Sequence, residues 1–202
     1  SSITVATDRW LTSMPSSTVT NQYLMNELSD VEASMILGSA EKKVGQSQMS
    51  RAPGNDASHI LTGLFVGNMA AAKDEAFLQK NNIKRIVNCT PDVPFYYPKM
   101  IKYIRLPLND RADAENNAMM AYLLPQALEF ISNPPPSAND AVLIHCHMGI
   151  SRSCSVLAGY LRANYYECLC KAYAHILKYR PSAFFFGNSF NFHEALQSHF
   201  SK

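Results

Sequence analysis

The sequence lacks the features of a membrane or secreted protein. Its 202 residues contain no apolar run near the ~20 that a transmembrane helix needs, so we expect no membrane span. The N-terminus has no basic flank followed by an apolar core, and we therefore expect no signal peptide. Five cysteines are an odd number, and they lack the spacing of a disulfide framework. We expect a reducing compartment, with the cytoplasm first and the nucleus as an alternative.

Charged residues are also scarce. Asp, Glu, Lys and Arg make up 17% of the chain, and the formal net charge is only +2. No basic stripe with interleaved aromatic residues is present, so a nucleic acid partner is not expected. Cys168 and Cys170 form a C-x-C pair, but no second ligand cluster accompanies them. We therefore expect no zinc site, no other metal and no cofactor.

The stretch from residue 145 to residue 153 is the most informative part of the chain. It reads His-Cys-His-Met-Gly-Ile-Ser-Arg-Ser, which has the form H-C-x5-R-S. A short apolar run, 141–144, precedes it, and a helical pattern follows. A loop between a strand and a helix can direct backbone N–H groups at an anion. With cysteine at its head and arginine at its foot, this loop predicts a phosphate pocket with a sulfur nucleophile.

Phosphate ester cleavage gives a chemical role to several loop residues. Cys146 is the predicted nucleophile, because cysteine forms a thiolate more readily at a helix N-terminus or beside a positive charge. Arg152 can hold two phosphate oxygens with its planar guanidinium. Ser153 can donate its hydroxyl to the sulfur and so make it a better leaving group. Gly149 permits a tight turn, and His145 is predicted to support the loop from beneath.

The middle of the loop is predicted to contact the substrate. His147 and Met148 are expected at the rim of the pocket rather than in the chemistry. The full predicted substrate-binding set is His147, Met148, Gly149, Ile150 and Ser151.

The loop contains no acidic side chain, so the general acid must come from another segment. Phosphate ester cleavage needs one, because the leaving oxygen must receive a proton. Asp110 follows the strand-like segment 102–106 and is the acid nearest to the strand's carboxyl end, where ligands bind in open α/β sheets. It is our predicted general acid, with Asp113 in reserve. The alternative is that Asp110 caps the next helix.

With this loop and this acid, the chain resembles the dual-specificity protein phosphatases of the cysteine-based tyrosine phosphatase superfamily. The resemblance covers residues 58 to about 200. It rests on several blocks in the family's order, which are 58–68, 83–90, 106–110, 142–153 and Arg180-Pro181. The third block is similar to the family segment that bears the general acid, and so it supports Asp110 independently.

Two departures from the family pattern stand out. Met148 occupies a position where the family usually has alanine, which is expected to reshape the rim. The family also places a supporting asparagine three residues before a phenylalanine near the C-terminus. Here the segment 183–192 carries a short insertion, and Asn188 is the candidate for that supporting role.

The alternation of strand-like and helical segments predicts an α/β fold. We expect a central, mostly parallel sheet of about five strands with helices on both faces, which is the cysteine phosphatase fold. Strands are predicted near 59–61, 64–66, 85–89, 102–106 and 141–145. Helices are predicted near 70–81, 117–132, 152–165, 167–179 and 188–200.

The predicted catalytic domain is 58–202, and residues 1–57 form a Ser/Thr-rich extension. Within the extension, Leu24, Leu28, Val31 and Met35 recur with helical spacing and predict an amphipathic helix near 21–37. Such a helix needs a surface to pack on. Docking on the catalytic domain is the favoured interpretation, with another chain as the alternative.

The resemblance implies dephosphorylation of phosphotyrosine and of phosphoserine or phosphothreonine in proteins through a phosphocysteine intermediate. The loop lacks the lysines of superfamily members that act on inositol lipids. A non-protein phosphoester (a lipid, glycan or nucleotide) remains an alternative, as does a phosphate-binding pseudophosphatase. The expected partner is a phosphoprotein, and the oligomeric state stays open.

Cys89 is a redox candidate. Some relatives form a protective disulfide to the nucleophile from a cysteine near this position. The alternative is that Cys89 is simply a small residue of the core.

Overall fold

A computed structural model of the chain describes residues 28–44, 56–111, 113–184 and 191–201. The strands of these residues are β1 (Ala57–Leu61), β2 (Leu64–Gly67), β3 (Ile83–Asn88), β4 (Lys102–Arg105) and β5 (Ala141–His145). Their helices are α1 (Asp30–Val44), α2 (Met69–Lys73), α3 (Glu75–Lys80), α4 (Ala114–Ser132), α5 (Arg152–Asn164), α6 (Leu169–Tyr179) and α7 (His193–Phe200).

The five strands form one sheet in the order β1-β2-β5-β3-β4. Only β1 is antiparallel to its neighbour, and the other pairs are parallel. In the register of the sheet, His145 at the end of β5 pairs with Gly67 on one side and with Asn88 on the other. Asn88 in turn pairs with Arg105 at the end of β4. The loops that follow β2, β3, β4 and β5 therefore open on one edge of the sheet.

Both faces of the sheet are covered by helices, as the sequence predicts. Successive side chains of a strand point to opposite faces, and β5 illustrates the division. Val142 and Ile144 join the core beneath α4, α5, α6 and α7, whereas Leu143 joins the core beneath α2 and α3. All five residues of β5 are buried, because a strand at the centre of a two-sided sheet must be apolar throughout.

The predicted helix 70–81 is two short helices in the structure. Asp74 interrupts it with an extended backbone, and its carboxylate accepts a hydrogen bond from the backbone N–H of Phe77 at 3.0 Å. This is an N-cap, which favours a new helix start over continuation. The predicted helix 188–200 begins at His193 in the described residues, and residues 185–190 lie outside them.

A described N-terminal helix, α1, covers Asp30–Val44 and so overlaps the second part of the predicted 21–37. The helix starts at Asp30. At this start, the Ser29 N–H donates to the Glu32 carboxylate, and the Glu32 N–H donates to the Ser29 hydroxyl. The pattern Ser-x-x-Glu is a capping box, and it is the sequence signal that marks this boundary. Residues 21–27, including Leu24, lie outside the described residues.

The predicted apolar face is wrong at Val31 and Met35 and right at Leu28, whereas Leu24 lies outside the described residues. Val31 and Met35 are each 69% exposed, whereas Leu28 and Ala33 are buried. Ile36 also packs on the main core. Leu28 lies before the start of the helix, so helical spacing counted from Leu28 does not place Val31 and Met35 on its buried face.

Helix α1 packs against α6 of the same chain, so the docking is intramolecular, as favoured from the sequence. Lys171 of α6 lies 3.0 Å from Asp30 and also pairs with Glu167. These two carboxylates raise the pKa of the lysine ammonium. The two carboxylates are exposed, so these ion pairs contribute little by themselves, and apolar burial carries the contact.

Two of the five cysteines are paired, which the sequence pattern did not predict. Cys168 and Cys170 form a disulfide at the start of α6, and the Cys168 sulfur caps that helix. Cys89, Cys146 and Cys154 are free and buried.

Within the described ranges, no helix has the length and apolar character that a membrane span requires.

A charge introduced on the buried face of α1 should destabilise the protein, whereas a charge on its exposed face should have little effect. Ala33→Asp should undock α1, because an unpaired buried carboxylate costs about 2 kcal/mol or more. Val31→Asp is the matched control on the exposed face and should change stability by less than about 0.5 kcal/mol. Limited proteolysis and thermal unfolding measure both effects. Equal behaviour of the two variants would contradict the observed orientation of the helix.

Candidate active site

The predicted phosphate loop joins β5 to α5 at the edge where the parallel strands end. Cys146 follows β5 directly, and Arg152 is the first residue of α5. The Cys146 sulfur is buried at the bottom of the loop. It accepts a hydrogen bond from the backbone N–H of Gly149 at 3.2 Å and lies 3.3 Å from the Ser153 hydroxyl. The structure thus brings together the sulfur and the hydroxyl singled out in the sequence.

The backbone carbonyls of the loop are tied to donors outside the pocket. The carbonyl of His147 accepts from Met69 N–H at 3.2 Å, and that of Ile150 accepts from Phe184 N–H at 2.9 Å. Arg180 donates to the two carbonyls between them. In a trans peptide the N–H points away from the C=O of the same unit. Outward carbonyls therefore turn the following N–H groups inward, toward the pocket.

Arg180 is a residue that the sequence reasoning did not single out as part of the site. Its side chain is buried under the loop, and Nε donates to the Gly149 carbonyl at 2.6 Å. Other guanidinium nitrogens donate to the Met148 carbonyl at 3.4 Å and to the Ser58 hydroxyl at 3.1 Å. The sequence signal for this role was the block Arg180-Pro181, which by itself indicates only a turn.

Gly149 is required by space and by backbone conformation. Its φ is +66°, a region that L-residues with side chains rarely adopt. A Cβ at this position would lie 2.6 Å from the carbonyl of Gly67 and from the Arg180 guanidinium. The close approach of these groups leaves no room for a side chain.

Arg152 presents an unused donor to the pocket. Its side chain is buried, and Nη1 donates to the Leu108 carbonyl at 3.1 Å. Nε is buried and has no hydrogen-bond partner among the described residues. The nearest anionic oxygen is Oδ2 of Asp110 at 3.8 Å. A buried charged donor without a partner is costly, and a bound oxyanion would satisfy it.

The structure separates the two candidate acids. Asp113 caps α4, because its carboxylate accepts from the backbone N–H of Asn116 at 2.9 Å, and this hydrogen bond lowers the pKa of the carboxyl. Asp110 does not cap the helix. It faces Arg152 with a side chain that is 33% exposed. Asp110 is thus the carboxyl group at the pocket, and Asp113 is structural.

Asn191 is a second site neighbour that the sequence reasoning missed. Its amide nitrogen lies 3.2 Å from the Ser151 hydroxyl oxygen and 3.4 Å from Asp110 Oδ1. It thereby links the phosphate loop to the segment that carries the acid. The predicted supporting residue, Asn188, lies outside the described residues. Asn191 stands directly before Phe192, which is fully buried, and this anchor was the signal for it.

His145 lies under the loop in a neutral form. Burial lowers its pKa from 6.5 to about 4. Its Nδ1 lies 3.4 Å from the Cys146 carbonyl oxygen, which favours the tautomer with the proton on Nδ1.

The rim consists of residues with different exposures. Met148 is 49% exposed and Ile150 is half-buried, whereas Ser151 is buried. His147 directs Nε2 at Oδ1 of Asp92, 2.8 Å away. In the aromatic segment after Asp92, Phe95 stacks on Tyr103 with ring centroids 4.4 Å apart.

Cys89 lies beside the loop in the sheet register. Its backbone N–H donates to the His145 carbonyl at 2.8 Å, and Asn88 pairs with His145. The side chain is fully buried, and this burial, followed by the neighbouring Cys146, raises the pKa of the thiol well above its ordinary value. Cys154 is a further buried thiol near the loop, and its sulfur lies 3.4 Å from the Gly149 carbonyl oxygen. In the described part of the chain, no three His, Cys, Asp or Glu side chains are grouped to hold a metal.

The comparison with known families agrees with this arrangement. The catalytic domain of the dual specificity phosphatases matches residues 64–202. The chain therefore belongs to the dual specificity phosphatase family, and the resemblance found in the sequence is confirmed.

Curated relatives and solved structures extend the comparison. Mpk3 of Drosophila melanogaster, a dual specificity protein phosphatase, is 35% identical over 66% of this chain and 31% of the relative. Human dual specificity protein phosphatase 14 is 28% identical over 61% of this chain and 60% of the relative. The matched part thus spans less than two thirds of either protein. The DUSP15 crystal structure has 25% identity and a TM-score of 0.60, covering 72% of this chain and 87% of that one. The crystal structure of human DUSP28 shows the same fold, with 23% identity and a TM-score of 0.58, over 72% of this chain and 93% of that one.

Substitution of two glycines should have opposite effects. Gly149→Ala is expected to destabilise the protein by about 2 kcal/mol or more, from the positive φ and the contact with Gly67. Gly38→Ala is the control, because Gly38 lies inside α1 and a Cβ added there would meet no atom within 4 Å. It should stabilise by about 0.5–1 kcal/mol. Thermal unfolding measures both, and a neutral Gly149→Ala would contradict the packing of the loop.

Proposed function

We propose that this chain hydrolyses phosphate monoesters of proteins through a phosphocysteine intermediate. The observation that carries the proposal is the buried Nε of Arg152, which has no hydrogen-bond partner and lies 3.8 Å from Asp110, beside a loop whose carbonyls are turned away. A phosphoryl group in this loop would receive N–H donors and a guanidinium, with the Cys146 sulfur beneath it. Charged, preorganised donors of this kind stabilise the developing charge of the transition state.

The reaction has two steps in this proposal. The Cys146 thiolate attacks phosphorus, the bond from phosphorus to the ester oxygen breaks, and Asp110 protonates that oxygen. In the second step Asp110, now a carboxylate, takes a proton from water, which attacks phosphorus and releases inorganic phosphate. The Ser153 hydroxyl stabilises the departing thiolate, and Asn191 positions Asp110 relative to Ser151.

We further propose that the protein acts on phosphotyrosine and on phosphoserine or phosphothreonine. Family membership supports this substrate class, as does the short stretch between residue 58 and Cys146, which leaves a shallow pocket. Matched phosphopeptides test it, and a preference of several orders of magnitude for phosphotyrosine would contradict it.

The loop contains no lysine, so a highly charged lipid headgroup fits less well. The division into 1–57 and 58–202, and a cytoplasmic or nuclear location, stay predictions.

A phosphate-binding module without turnover is the second candidate, and Asp110 separates the two. Asp110→Asn should lower kcat for a phosphoserine peptide by about 10²- to 10⁴-fold, the usual contribution of a general acid or base. With p-nitrophenyl phosphate, Asp110→Asn should lower the rate of the first step by a smaller factor, because nitrophenolate leaves without receiving a proton. Steady-state kinetics with both substrates measure the difference.

Asp113→Asn is the control for this substitution. Asparagine also caps helices, so kcat should stay within about twofold of the wild type if Asp113 acts only as a cap. Equal losses for the two variants would show that the assignment of Asp110 is wrong. No hydrolysis by the wild-type protein would favour the binding module.

We also propose that Cys89 protects an oxidised Cys146. Peroxide would oxidise the Cys146 thiolate to sulfenic acid, and the Cys89 thiol would then displace water to form a disulfide. Their adjacent positions after β3 and β5 support this step. Cys89→Ser should lower the activity recovered with a thiol reductant after peroxide treatment by several-fold, since sulfenic acid would proceed to irreversible forms.

Cys154→Ser is the matched control, because Cys154 is also buried and close to the loop. It should leave the recovered fraction unchanged. A Cys89→Ser protein that recovers as fully as the wild type would reduce Cys89 to a core residue.

A further inference from the structure

A rigid turn carries Asp92 to the rim of the site. We call residues 90–93 the Asp92 turn. Buried Asn88 accepts from the backbone and hydroxyl of Thr90, at 3.0 and 2.7 Å, and donates to the Val93 carbonyl at 2.9 Å. Arg105 donates to the carbonyls of Thr90 and Val93, at 2.7 and 2.8 Å. The backbone on both sides of Asp92 is thus held by buried or half-buried groups.

The Asp92 side chain is fixed as well, although it is exposed. Oδ1 lies 2.8 Å from Nε2 of His147, the residue that follows Cys146. The Asp92 side chain is 64% exposed and that of His147 is 35% exposed. The hydrogen bond from His147, and to a smaller extent the charge of Arg152, holds the pKa of this carboxyl below its ordinary value. The rim therefore presents an ionised oxygen whose position is set before substrate binds.

The cations near Asp92 are already engaged by other groups. Arg105 binds the turn and lies 4.6 Å over the Phe95 ring. Arg152 is buried in the pocket and points toward Asp110. The variable positions of the loop contain no lysine or arginine. Among the described residues of the loop and the Asp92 turn, His147 is thus the only side chain paired with the carboxylate.

A group esterified to the bound phosphate must leave the pocket past this rim. From this geometry we infer that Asp92, held by His147, is a specificity determinant that favours protein substrates with a basic residue next to the phosphorylated one. The inference rests on the proposed phosphatase function. A substrate lysine or arginine would find a preorganised partner at Asp92, whereas a glutamate would meet a like charge. Preorganisation matters because an exposed ion pair otherwise loses most of its energy to side-chain ordering.

The apolar part of the rim supplies a matched control. The backbone N–H of Met69 donates to the His147 carbonyl, and Met69 and Met148 are 46% and 49% exposed. Met148, which lies in the loop itself, borders the same entrance without a charge. Met148→Ala should thus change affinity for the whole peptide series without changing the ranking by charge.

The test compares phosphotyrosine peptides that differ only in having lysine, glutamine or glutamate beside the phosphotyrosine, on either side. On at least one side, kcat/KM should be about fivefold higher for lysine than for glutamate, the size expected of one exposed charge contact. Salt should reduce the ratio. In Asp92→Asn, the lysine-to-glutamate ratio of kcat/KM should fall below about twofold. Met148→Ala should leave this ratio unchanged, and so should Glu129→Gln, which removes one charge far from the site.

The outcomes distinguish this inference from the proposed function. If the wild type hydrolyses p-nitrophenyl phosphate but treats the lysine and glutamate peptides alike, the inference is wrong and the phosphatase function stands. A lysine preference that survives in Asp92→Asn also overturns it. If the wild type hydrolyses neither class of substrate, the proposed function itself fails. Circular dichroism of each variant confirms that the fold is retained.

Discussion

The orientation of the loop carbonyls is the constraint on which the site depends. The loop between β5 and α5, residues 146–151, could fold with its N–H and C=O groups facing either way. Arg180 holds two of its carbonyls from below, and the backbone N–H groups of Met69 and Phe184 hold two more. Only with these oxygens turned outward can the amides converge on an anion. The concave, donor-rich face is thus made by residues far away in the chain.

The sheet explains why these distant residues meet. Parallel strands end at one edge, so β5 delivers the nucleophile where β4 delivers Asp110 and β3 delivers the Asp92 turn. Helix α6 brings Arg180 to the same edge from below, and α1 packs on α6. The N-terminal helix is therefore joined to the element that braces the loop, which gives the extension a structural connection to the site.

Local patterns predicted the elements and the reacting groups. The H-C-x5-R-S run places Cys146, Arg152 and Ser153 in one loop, and strand spacing located all five strands of the sheet. The bracing residues were not predictable in this way, since Arg180 and Asn191 act through tertiary contacts that no local period encodes.

One sequence prediction was wrong in part and one disulfide was missed, both for local reasons. Val31 and Met35 were wrongly predicted on the buried face of α1, because apolar spacing rather than the Ser29–Glu32 capping box set the boundary of the helix. The Cys168–Cys170 disulfide at the start of α6 was not predicted, because a C-x-C pair in the sequence does not by itself indicate that its two sulfurs are bonded to each other.

The proposed mechanism depends on a covalent bond between Cys146 and the phosphoryl group. Rapid acid quench during turnover of a phosphotyrosine peptide, followed by mass spectrometry of the proteolysed protein, tests this directly. We expect one phosphoryl group on the peptide that contains Cys146, and none on the corresponding peptide of Cys146→Ser. Turnover without any phosphorylated Cys146 peptide would contradict the mechanism.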